Sequence, residues 1–203
     1  MSLLFLLSQH EHMREMAQQA SEPDWIAIGD HHLAGVLLIV LAIFAYLERT
    51  ELARYRWVKF LWPMPLLVLG LFLILFRDTG DPWLRGILHW QIGVTEVQHK
   101  LFESVAVVVG LIELFRRTGW LKHPLWPHIL NTLMLGAGIF ILFHGGQHSH
   151  IIHLQHRWMG IVAITLSLTK IVADSRLGGR WLSLYAVPAL FLTLGLQFAL
   201  YVE

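Results

Sequence analysis

Residues 33–47 read LAGVLLIVLAIFAYL, and residues 48–59, directly after them, read ERTELARYRWVK. The first stretch carries no charge, and the second holds Arg49, Arg54, Arg56 and Lys59. An apolar run that stops at a basic cluster is the pattern of a helix that crosses a bilayer and ends at its cytoplasmic surface. A crossing takes about 20 mostly apolar residues, and Leu33–Leu47 reaches that length with its polar and aromatic flanks.

The same reading extends along the chain. Long uncharged blocks recur at Phe60–Phe76, Ile129–Phe143 and Trp181–Val202. The whole sequence is 56% hydrophobic and 14% charged, against roughly 25% charged in soluble domains. Helices are therefore expected at 28–47, 60–76, 95–115, 124–146, 151–173 and 181–201. This predicts an all-α integral membrane bundle of about six transmembrane helices over residues 28–203, with the lipid bilayer as its partner. Residues 1–27 are expected to form an extracytoplasmic or interfacial arm, in which Leu3–Leu7 is too short for a signal-peptide core. Pro82, Trp83, Ile87, Leu88 and Trp90 predict a short helix lying in the outer interface. With no cysteine, disulfide scaffolds and thiolate metal sites are excluded. A net charge of +1 gives no reason to expect nucleic acid as a partner.

Orientation follows from lysine and arginine. Arg49, Arg54, Arg56 and Lys59 fall between the first two helices, and Arg116, Arg117 and Lys122 between the third and fourth. Lys170, Arg176 and Arg180 border the last connection. These alternate connections share one side, which the positive-inside rule makes cytoplasmic, so both termini lie outside. Tryptophans at 57, 62, 83, 120, 126 and 181 are expected to mark the membrane rims. Glu48 and Glu113, each beside arginines, are expected to be solvated at the inner rim. Multiple passes through one membrane are implied.

The thirteen histidines then separate by side. His123 and His128 fall on the basic side, and the other eleven belong to the outer half. Lysine and arginine set the sides, so this segregation is an independent observation. Residues three or four apart share a helix face. His144 and His148 are so placed at the end of the fourth helix, and His153 and His156 at the start of the fifth, with His150 one turn earlier. Glu96, His99 and Glu103 form a stripe on the third helix, and Asp30, His31 and His32 open the first. Imidazole suits copper, zinc, iron and nickel, and ionisable groups within spans normally face the bundle interior. His31, His32, Glu96, His99, Glu103, His144, His148, His150, His153 and His156 are therefore the candidate metal ligands. No catalytic residue is assigned. His10, His12, Met13 and Met16 put further soft donors in the arm. Gly136, Gly138, Gly145, Gly146 and Gly160 are expected to permit close helix packing.

Several short motifs resemble the copper-resistance D family of bacterial membrane proteins. They are Asp30-His31-His32-Leu33-Ala34-Gly35, Trp62-Pro63 followed by Leu69-Gly70-Leu71-Phe72, Glu96-Val97-Gln98-His99-Lys100-Leu101-Phe102, and His148-Ser149-His150 with His156 and Gly160. The resemblance covers most of residues 28–173 and implies copper binding, transport or tolerance at the periplasmic face, with a periplasmic metal-carrier protein as a partner. Two alternatives stand beside it. Glu96-x-x-His99 is half of a dinuclear carboxylate motif, as in a membrane oxidoreductase with iron or zinc. Histidines on facing helices also suit the axial positions of haem b.

Overall fold

The computed structural model describes residues 25–77, 94–143, 150–175 and 178–202. These are helical throughout apart from short connections. Six helices follow one another: α1 (Trp25–Leu47), α2 (Val58–Leu75), α3 (Val94–Thr118), α4 (Trp126–Leu142), α5 (His150–Asp174) and α6 (Leu182–Ala199). All six lie where the apolar blocks and basic connections predict them. The expected arm at 1–27 falls outside the described residues except for its last three, which already belong to α1. The expected interfacial helix at 82–90 falls outside them too.

Local chemistry explains the helix ends and irregularities. A 3₁₀ turn, Glu51–Arg54, follows α1, and Thr50 caps it by accepting from Leu52 N at 3.3 Å. Helix α3 stops at Gly119, whose φ of 85° lies in the left-handed region that glycine enters without strain. Gly119 N donates to Arg116 O at 3.2 Å and Trp120 N to Phe115 O at 2.9 Å. The Phe115 and Trp120 rings stack at 5.3 Å across this turn. This is a Schellman ending with its hydrophobic contact. In α6 the first turn, Leu182–Ala186, is π-helical and is followed by Pro188. A proline inside a helix removes one backbone bond and crowds a preceding carbonyl, and the wider turn accommodates it.

The helices form a closed ring in which each packs on its neighbours in chain order and α6 packs on α1. Small residues close two of the contacts. A Cβ on Gly35 of α1 would lie 2.7 Å from Gly195 O of α6, and one on Gly195 would lie 2.8 Å from the Ile39 side chain. Between α4 and α5, a Cβ on Gly160 would meet the Leu142 backbone at 2.7 Å. Without side chains there, the backbones approach closely and gain dispersion contact, as membrane helices require where lipid offers no hydrophobic drive.

Leu41, Leu130, Met159, Leu166 and Phe191 fill the interior. Val36, Ile43, Val68, Leu71, Ile161, Leu168 and Leu192 point outwards and are exposed. Apolar residues on both faces mark helices that sit in lipid rather than water. Three helices, α1, α2 and α6, are long and apolar enough to cross a membrane on composition alone. Helix α4 is apolar with 17 residues, and α3 and α5 have 25 residues each but carry charges and histidines.

Candidate functional site

The ring gathers different chemistry at its two ends. At one end the N-terminal turns of α1 and α5 meet the end of α6. His31 and His156 approach with ring centroids 5.8 Å apart and planes at 85°. Tyr201, just past α6, stacks on His31 at 3.9 Å and meets His156 edge-on at 5.7 Å. Phe198 stacks on the His31 ring at 5.7 Å. His156 and Tyr201 are buried, at 7% and 1% exposure.

Helix geometry sets the tautomers. His31 Nδ1 lies 2.7 Å from Ala27 O, and His156 Nδ1 lies 2.9 Å from Ile152 O, each one turn back on its own helix. A carbonyl only accepts, so both Nδ1 atoms carry the proton and Nε2 is the basic nitrogen of each ring. Metal-binding histidines are commonly oriented in this way, through the ring N–H that faces away from the ion. His32 is turned differently. Its ring is exposed, and its Nε2 donates to Tyr201 O at 3.0 Å. The sequence left open which of the adjacent pair faces inwards, and the structure places His31 in the cluster. Gln155 completes this end. Its side chain donates to Val202 O at 2.7 Å and accepts from Val202 N at 3.1 Å, clamping the segment after α6 to α5.

The other candidate ligands distribute as follows. His99 on α3 lies near enough to act on His31 electrostatically. Glu103 is buried on the same helix, with Lys100 buried one turn away. His150 is exposed at the start of α5, and His153 is half-buried. Glu96 belongs to α3, but its side chain lies outside the described residues, as do His144, His148 and the arm histidines. Among the described residues, no three histidine or carboxylate side chains converge as an ion would require. Two imidazoles from different helices do converge. Their centroids lie 5.8 Å apart in an edge-on contact.

At the opposite end lies an ion-pair network that the sequence reading missed. Glu113 is 2% exposed rather than solvated. It accepts from Arg116 at 2.7 Å through each oxygen, and also from Arg117 Nε. Arg117 reaches across to Glu48 at the end of α1, through Nη1 and through Nη2 at 2.9 Å, and donates to Lys59 O at 2.7 Å. Burial pushes the Glu48 carboxyl up from the ordinary carboxylate range, and the Arg117 guanidinium opposes that shift. Lys170 pairs with Asp174 at 2.6 Å, and Asn131 Nδ2 donates to the same carboxylate at 3.0 Å. Trp62 is also misjudged by the sequence. It is 3% exposed, not at the lipid rim, and its ring lies beneath Arg117 and Lys170 at 5.6 and 5.8 Å. A cavity of about 30 Å³ opens between Glu48, Arg49, Lys170, Asp174 and Ser183. Room for about two waters results.

The signal that could have found the network is the spacing Glu113-x-x-Arg116-Arg117, which puts a carboxylate and two guanidinium groups on one face. Burial of that face depends on α1 and α2, which spacing on α3 does not reveal. Comparison with known proteins adds no relative: no family model, curated protein or solved structure matches this chain.

Proposed function

We propose that this chain is a six-span inner-membrane protein that binds a transition metal, copper in the first instance, at its non-cytoplasmic end. The observation that carries the reading is the His31–His156 pair. Two imidazoles from α1 and α5 meet, each oriented by an Nδ1 proton tied to a backbone carbonyl of its own helix. His144 and His148 are proposed to complete the ligand set from the α4–α5 connection, with His99, Glu96 and Glu103 as orienting partners. The orientation rests on charge: the connections holding Arg49 to Lys59, Arg116 to Lys122 and Lys170 to Arg180 share the end opposite the His31–His156 pair. Helices α3, α4 and α5 then cross beside α1, α2 and α6, with Glu103, Glu113, Asn131, His156 and Ser167 buried inside the ring. Among the metals that imidazole suits, the likeness to copper-resistance D motifs favours copper.

The test is metal analysis of the purified protein together with its absorption spectrum. Stoichiometric copper without a Soret band is the expected result. A Soret band would replace this reading with haem b, and two irons per chain would replace it with a dinuclear oxidoreductase. The double substitution His31→Ala and His156→Ala is expected to lower bound metal at least tenfold, while His123→Ala with His128→Ala leaves it unchanged. Acidification well below the imidazole reference pKa of about 6.5 should release the metal, because only neutral rings ligate.

A further inference from the structure

We propose that the basic end of the bundle is a docking surface for the headgroups of anionic phospholipids. The inference rests on the membrane reading above, and the evidence is how the fold sorts charge at that end. Its acidic side chains are Glu48, Glu51, Glu113 and Asp174. Three of them are drawn inside, where Arg116, Arg117 and Lys170 pair with them. Only Glu51 is exposed. Of the remaining cations among the described residues, Arg49, Arg54, Arg56, Lys122 and Arg180 are exposed and Lys59 is half-buried. Among the described residues, internal pairing therefore leaves five exposed cations against one exposed carboxylate.

Amphipathic rings accompany the cations in each connection. Tyr55 and Trp57 are exposed beside Arg54 and Arg56, and the Arg54 guanidinium lies 4.9 Å over the Tyr55 ring. Trp120 is 78% exposed near Lys122, and Trp181 and Tyr185 are exposed near Arg180. Tryptophan and tyrosine settle at headgroup depth, so these rings set the cations at the level of lipid phosphates. A purely aqueous surface would not favour such exposure. Arginine forks match the phosphate oxygens, and each cation at an anionic leaflet adds attraction worth about a fivefold gain in affinity.

The test uses the full chain purified in neutral detergent. Dioleoylphosphatidylglycerol or dioleoylphosphatidylcholine is added, and retained lipid is counted by native mass spectrometry alongside the melting temperature. The phosphatidylglycerol is expected to be retained at least tenfold over the phosphatidylcholine and to raise the melting temperature. The fourfold variant R54Q, R56Q, K122Q and R180Q should lose that preference with its own melting temperature unchanged, whereas lysine at the three arginine positions should keep it. Equal retention of the two lipids, or a preference that survives the glutamine variant, overturns the proposal. Inorganic phosphate that reproduces the whole thermal shift would assign the surface to a soluble anion instead, and polyglutamate that displaces the lipid would assign it to an acidic protein. Failure of the membrane reading looks different, since the chain would then leave the membrane fraction in alkaline carbonate.

Discussion

The two ends of the ring solve the same problem, burying polar side chains between helices, in opposite ways. The basic end uses charge. Arg117 joins α3 to the end of α1 and to the backbone at Lys59, while Asp174 joins α5 to α4 through Asn131. The cluster around His31 at the histidine end uses neutral groups: stacked rings, backbone carbonyls as acceptors, and the paired bonds of Gln155 to Val202, with the ionisable Lys100 and Glu103 buried farther along α3. A buried ion pair loses heavily when one partner goes, because the other is left charged and desolvated. A neutral cluster loses less, because the partner left behind carries no charge. The basic end should therefore be the rigid one, and the histidine end the one able to adjust around a ligand.

The comparison breaks most readily at Arg117. Its replacement by alanine strands Glu48, while Glu113 keeps Arg116, and is expected to cost about 3–5 kcal/mol, read as thermal unfolding of the purified protein in detergent. Lysine there should recover part of the loss, since it restores charge without the fork. A change within measurement error would mean that the network adds no rigidity. Next in size is Gly35→Ala at the α1–α6 seam. The added methyl has backbone in its path, and overpacking of this kind costs about 1–3 kcal/mol. Gln155→Ala sharpens the contrast from the other side. It removes two neutral hydrogen bonds at a partly exposed site, for about 1 kcal/mol. A loss from Gln155→Ala as large as that from Arg117→Ala would erase the distinction between the ends.

The fold was largely legible in the sequence, because each helix is an apolar block closed by basic residues, glycine or proline. The sequence also foretold that His31 and His156 would lie at one level. It could not foretell that the side chains of Tyr201 and Phe198 would fill the space beside them. That contact depends on ring closure, which brings the last helix to the first. Ring closure also explains Glu113. A carboxylate three and four residues from arginines on an isolated helix is solvated, and only the approach of α1 and α2 removes the water. Local spacing reports which groups share a face, and the partner helices decide what that face meets.

Closure of the ring between α1 and α6 also bears on how the protein is made. Helices enter a membrane in the order of synthesis, and every other neighbouring pair in the ring is adjacent in sequence. The first helix alone must wait for the last before its glycine face is covered. Until then Asp30, His31 and His32 sit on a helix with one flank open to lipid. On the six-span reading proposed above, the α1–α6 seam is therefore the last helix contact among the described residues to form.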